Sequence, residues 1–325
     1  MTHAGQRIAC RHCVCRHCVC RHCVCRHCAG RHCGPARTGT AAVLALTALC
    51  LLTACTGGQP HGPASASAAP SRSRSAASGP AWLVTRAALA QLVTSSPVRQ
   101  RLADSRVYEI LQPGQQLLAG FTAEAVVTFS SAASLVDAVR QGQVPSGAYG
   151  VLYDPEAWSF TPAAEQRDPV AAAEQAAQAA HARGLKLVVA PALNLTTVLG
   201  SGSGGRGPRW QQFLDLRLAA RMAQVADVVE LQAQSLERDT ATYASFVRQA
   251  AAQARAAKPG VTVLAGLSSN PPGAPVTSRH LTDVIRATRS LVDGYWLNIP
   301  GQGARCPTCS PPAPDVAQQA LQAAI

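Results

Sequence analysis

The sequence predicts a single (β/α)8 barrel of the TIM type over residues 81–325. Three observations lead there. Short apolar runs alternate with Ala-rich helical stretches from Pro80 to the end of the chain. The runs are nearly continuous rather than alternating, as in parallel strands buried on both faces. There are eight of them in 245 residues, which suits a closed barrel better than an open doubly wound sheet built from the same strands.

Taken in order, the predicted strands are Ala81 to Val84, Val107 to Leu111, Ala125 to Phe129, Gly150 to Asp154, Leu185 to Ala190, Val228 to Gln232, Val261 to Gly266 and Gly294 to Ile299. Helices fill the later gaps. Asp168 to Arg183 opens with an Asp-Pro cap and stops at Gly184, and Pro208 to Val225 and Thr240 to Ala257 follow. The link from Gln112 to Thr122 shows little helical periodicity. Gly200 to Gly207 lacks the Lys-Ser/Thr of a phosphate-binding loop and the G-x-G-x-x-G order, so no nucleotide cofactor is expected. It reads as a loop above strand five, where barrels carry substrate lids.

The region before the barrel has a different composition. Seven of the 29 basic residues and none of the 17 acidic ones precede Cys55, which leaves a surplus of only five positive charges for the rest of the chain. A nucleic-acid partner is therefore not expected. Residues 10–33 repeat Cys-Arg-His-Cys-Val, chemistry that could hold Zn²⁺ or Cu(I). The repeat has no intervening sequence to fold around an ion, so no metal site is expected. The apolar run from Thr40 to Leu52 is too short to span a bilayer and has the length of a signal h-region.

That run ends in Leu52-Thr53-Ala54-Cys55, which resembles the bacterial lipobox. Cys50 is the rival, but bulky Leu49 precedes it where small residues are favoured. The resemblance implies that Cys55 is lipidated and becomes the first residue of a protein anchored to the extracytoplasmic face of the cell membrane. Residues 1–36 are then a repeat and basic n-region absent from the mature protein, 37–54 the h-region and lipobox, and 55–80 a Gly/Pro/Ser/Ala tether too poor in apolar bulk to fold. Beyond the tether only Cys306 and Cys309 remain, in Cys306-Pro307-Thr308-Cys309, and an oxidising exterior favours a short local disulfide.

In a barrel, function gathers where strands end. Strand four runs Gly150-Val151-Leu152-Tyr153-Asp154-Pro155-Glu156-Ala157-Trp158, and residues two apart point the same way, which puts Asp154 and Glu156 together at the mouth. Two adjacent carboxyls can divide into a proton donor and an ionised partner, as glycosidic bond cleavage requires. The other strand ends offer amides and aromatics suited to sugar hydroxyls: Asn194 after strand five, Gln232 and Gln234 on strand six, Ser268 and Asn270 after strand seven, Trp296 and Asn298 on strand eight. Each of these could equally be a packing or turn residue. Glu230 lies early in strand six, which favours a structural acid over a third catalytic one. His181 and His280 fall outside strand ends, and no serine has a nucleophile-elbow setting.

The Asp154-Pro155-Glu156 ending resembles the chitinase-like glycoside hydrolases, barrels whose fourth strand ends in Asp-x-Glu. The resemblance implies that Glu156 donates the proton, Asp154 tunes it, and Trp296 forms the floor of a sugar subsite; Trp158, just past strand four, is a candidate second sugar platform on its position alone. Where the family carries two further aspartates, this chain has Tyr149 and Leu152. A carbohydrate-acting enzyme is one expectation. A saccharide-binding or structural envelope lipoprotein is the other.

Overall fold

The computed structural model describes residues 79–200, 207–271, 275–303 and 306–324. The leader, Cys55 and nearly all of the expected tether lie outside the described residues, as does most of the glycine-rich loop after strand five.

Eight parallel strands close into a barrel in sequence order, with the last hydrogen-bonded to the first. They are β1 (Ala81–Thr85), β2 (Val107–Leu111), β3 (Glu124–Phe129), β4 (Gly150–Tyr153), β5 (Lys186–Val189), β6 (Val228–Leu231), β7 (Thr262–Ser268) and β8 (Gly294–Asn298). The expected fold is thus the observed one, and the strand ends differ from expectation by a residue or two. Alternate residues of each strand point inward. Leu83, Ile110, Val126, Leu152, Val188, Val228 and Leu264 fill the barrel interior. The opposite faces of the strands pack on an outer layer of helices.

Caps set the helix starts. Asp168 accepts from the Ala171 amide at the start of Pro169–His181, and Asp239 accepts from Thr242 at the start of Thr240–Ala257. Three departures are informative. The expected helix Pro208 to Val225 is two helices, Arg209–Asp215 and Leu218–Val225, broken at Arg217, whose φ of 52° is left-handed. No glycine marks that break in the sequence. Gln234 is not on β6: the strand stops at Leu231, the Ala233 amide turns back to the Leu231 carbonyl at 2.7 Å, and Gln234 opens a short 3₁₀ turn. Finally, the β2–β3 link contains no helix. Instead it folds over Glu109, a fully buried outward-facing acid whose two oxygens accept from the Leu118 amide at 3.0 Å and whose charge faces Arg86 at 3.5 Å.

The N-terminal end of the barrel is sealed. The Tyr108 and Tyr149 rings lie 4.7 Å apart, and the Arg106 guanidinium covers both at 5.0 and 5.2 Å while pairing with Glu124 at 3.0 Å. Tyr149 therefore belongs to the closed end, far from any chemistry at the mouth. No helix among the described residues is long and apolar enough to cross a membrane.

Candidate functional site at the barrel mouth

At the C-terminal end the strands open into two adjoining cavities of about 450 and 610 Å³. Asp154, Glu156, Trp158, Gln232, Gln234, Trp296 and Asn298 all line the smaller cavity, so seven of the residues singled out by sequence converge on one space. Asn194 lines the larger one, beside Glu156. A groove of about 650 Å³ on the barrel flank, between Ala132–Arg140 and Pro169–His181, brings together no comparable set of carboxyls and aromatics.

The carboxyls are held by neighbouring strands. The Gln232 amide donates to Asp154 Oδ1 at 2.7 Å and to the Ala190 carbonyl at 2.9 Å, tying β4, β5 and β6 together at the mouth. The Asn194 amide donates to Glu156 Oε2 at 3.2 Å, and its own oxygen accepts from the Ala157 amide at 2.8 Å. Gln232 and Asn194 were expected to contact sugar. In the structure both line the cavities, and they also hold Asp154 and Glu156 from positions just past β6 and β5. Asn270 lines neither cavity. Its amide donates to the carbonyls of Ser310, Pro300 and Pro311 at 2.8, 3.3 and 3.3 Å, so it ties down the loop that follows β8. Cys306 and Cys309 form a disulfide in that same loop, and Cys306 reaches both cavities.

Trp158 is half-buried. Its indole donates to Thr161 Oγ1 at 2.9 Å, and its ring meets Phe160 edge-on at 5.1 Å between centroids. Thr161 is a hub that sequence reasoning did not single out. Its hydroxyl also accepts from the Glu156 amide at 3.2 Å and donates to the Ser130 carbonyl at 3.0 Å. A threonine in an irregular loop carries no signal of this in sequence. Thr85 and Gln112 also line the smaller cavity, and the strand-end rule could have found both, since they close β1 and β2.

Beneath the carboxyl pair the site contains more. Trp296 is buried on the cavity floor, and its indole nitrogen has no hydrogen-bond partner among the described residues. Glu230 is fully buried in the barrel interior, one strand repeat below Gln232, and neither of its oxygens has a partner among the described residues. Burial first, and then the charges of Asp154 and Glu156, push its carboxyl well above the ordinary range. Gly266 on β7 makes room for it: a Cβ there would stand 2.6 Å from Glu230 Oε1 and 2.4 Å from Gln234 Nε2. Glu237 is a second buried acid. It accepts from the Ser268 amide, and burial pushes its carboxyl up as well. Both histidines noted in sequence are structural: His181 pairs with Asp227, and His280 caps its helix with Thr277. The described residues contain no cluster of His, Cys, Asp and Glu arranged to hold a metal ion.

Fold and site together define a parallel α/β barrel with a carboxyl-bearing mouth. No protein-family model matches the chain, and no curated protein aligns with it. Among solved structures it is similar to the spore cortex-lytic enzyme SleL of Bacillus megaterium, at 11% identity over 67% of this chain and 70% of that one, with a TM-score of 0.40. It is similar to the catalytic domain of a family GH18 chitinase from the fern Peteris ryukyuensis, at 17% identity over 71% and 76%, with a TM-score of 0.39. Triosephosphate isomerase from Bartonella henselae is similar at 13% identity over 67% and 92%, with a TM-score of 0.35. Barrels of unrelated chemistry stand side by side in this set, so no residue role follows from it.

Proposed function

We propose that this chain is a lipid-anchored extracytoplasmic protein whose barrel mouth acts on a carbohydrate, with Glu156 as general acid and Asp154 as its ionised partner. The observation that carries the catalytic part is the shared cavity. Asp154 and Glu156 line it with Trp158 and Trp296, and each carboxyl is held by an amide from a neighbouring strand. Preorganised carboxyls can protonate a glycosidic oxygen and stabilise the positive charge that develops at the sugar carbon. The tryptophans offer apolar faces to a sugar ring, and the cavity volumes suit a short oligosaccharide. The anchoring part rests on the lipobox at Cys55.

One observation favours a second reading, a barrel that binds saccharide without cleaving it. Leu152, where the chitinase-like pattern has an aspartate, is buried apolar filling of the barrel. The full-length protein and its Glu156→Gln variant should be screened against chromogenic glycosides and cell-wall oligosaccharides. The enzyme reading expects turnover to fall at least about 100-fold in the variant while ligand affinity is retained. Equal binding by both proteins with no turnover in either would select the binding reading. Export should be checked by metabolic labelling with a fatty acid, which Cys55→Ser abolishes if Cys55 is the lipidated residue.

A further inference from the structure

The mouth residues used so far leave Glu230 without a task. A carboxyl that reaches no partner among the described residues, inside a barrel lined by Val228, Leu264, Val188 and Leu152, is costly to bury, and an apolar residue of the same size would fill the place with no polar atoms to satisfy. Its surroundings are also built to admit it. Gly266 on the neighbouring strand β7 leaves the space that its Oε1 occupies. Gln232, two residues further along the chain and just past the end of β6, holds Asp154. The titratable groups around Glu230 are Asp154 and Glu156 above it, Tyr243 behind β7 with its hydroxyl on the Gly266 carbonyl at 2.9 Å, and Glu237 next to Tyr243. Among these there is no cation that would stabilise a Glu230 anion.

We propose that Glu230 is a positioning acid of the mouth: it holds a proton beneath Asp154 and Glu156, and whether that proton is present sets how those two carboxyls ionise. While Glu230 is neutral, the pair above it interact with one another across a floor that carries no charge. When Glu230 loses its proton, a third negative charge appears in a water-poor interior, and both upper carboxyls become harder to ionise. A Glu230 anion therefore keeps Glu156 protonated to higher pH than the upper pair alone would, while Asp154, the first of the pair to ionise, remains the charged partner. The consequence for turnover rests on the carbohydrate-acting reading above; the coupling of the three carboxyls does not.

The test is a pH titration of full-length protein carrying ¹³C-labelled Asp and Glu carboxyls, compared with Glu230→Gln. In the wild type the Glu230 carboxyl carbon, like that of buried Glu237, should stay protonated after exposed glutamates have ionised, and only the Glu230 signal should be missing from the variant. The Asp154 and Glu156 carbons should show a second inflection at the pH where the Glu230 carbon titrates, and the variant should lack it. If turnover is found, the alkaline limb of kcat should move to lower pH in Glu230→Gln, because Glu156 then loses its proton without a third negative charge beneath it, with KM unchanged. The proposal is overturned if the Glu230 carbon titrates with surface glutamates near pH ~4.3, or if Asp154 and Glu156 titrate identically with and without it. Absence of turnover on every glycoside would reject the enzyme reading and leave the carbon titrations to decide the coupling. Should Glu230→Gln fail to fold, Glu230→Met supplies a neutral side chain of similar length for the same comparison.

Discussion

At the N-terminal end of the barrel, Asp227 and Asp293 precede β6 and β8 and are fully partnered, whereas Glu230, a few residues further along β6, has no partner among the described residues. Asp227 accepts from the Leu187 amide at 2.9 Å, from His181 at 2.8 Å and from Lys186 at 3.1 Å. Asp293 does the same for the Val263 amide at 2.8 Å and Arg255 at 3.0 Å. Burial works against the Asp227 charge, but the Leu187 amide, His181 and Lys186 outweigh it and hold its carboxyl below the usual range. Glu230 is pushed the other way by burial and by like charges. One end of the barrel uses acids to join neighbouring strands, while the other keeps an acid that stabilises nothing visible. That asymmetry is the physical mark of a site at the mouth.

The largest expected effect tests the closed end. A Cβ on Gly294 would stand 2.1 Å from the Ala81 carbonyl oxygen, a backbone atom that cannot move aside. Gly294→Ala is expected to cost about 3 kcal/mol or more, or to prevent folding, as read by thermal unfolding. Gly266→Ala at the mouth meets side-chain ends instead and should cost less. If the two variants prove equally damaging, the closed end is no more rigid than the mouth.

Next come the two acids, whose substitutions should have opposite signs at pH 7. Asp227→Asn should destabilise by about 2 kcal/mol at neutral pH. Because its folded-state carboxyl is depressed, that contribution is present above the unfolded value of about 3.9 and is lost as pH falls further, so wild type and variant should converge in acid. Glu230→Gln should stabilise at pH 7, provided the amide is tolerated. Its folded-state carboxyl is raised, so wild-type stability is complete below about pH 4.3 and falls as pH rises, by up to about 1.4 kcal/mol per pH unit until Glu230 itself ionises. Denaturant unfolding across pH 4 to 8 would check both, and two variants moving in the same direction would refute the contrast between the ends.

The smallest expected effect belongs to the rim. Cys306 and Cys309 close a very short loop, so a mild reductant should cost the fold about 2 kcal/mol at most. Any larger change should appear in ligand binding, since Cys306 lines both cavities.

Much of this was legible in the sequence. All eight strands and the helices over residues 168–183 and 240–257 followed from apolar runs and Asp caps, because buried parallel strands and capped helices carry local signals. The convergence of Asp154, Glu156, Trp296 and Asn298 followed from reading strand ends. The hydrogen bonds that Asn194, Gln232 and Asn270 make within the protein did not follow, since an amide at a strand end reads the same whether it meets a ligand, a carboxylate or a carbonyl.

By itself, then, the sequence determined a barrel, the order of its strands and the set of residues that could meet at its mouth. Hydrophobic periodicity and strand alternation are properties of consecutive residues, and that is enough for such conclusions. Only the tertiary structure decided which amides hold the carboxyls, which one ties a loop, and that Glu230 stands beneath Asp154 and Glu156 with room made for it by Gly266. Those relations join β4 to β6 and β7, strands about 80 to 110 residues apart in the chain, and a charge responds to neighbours in space rather than in sequence.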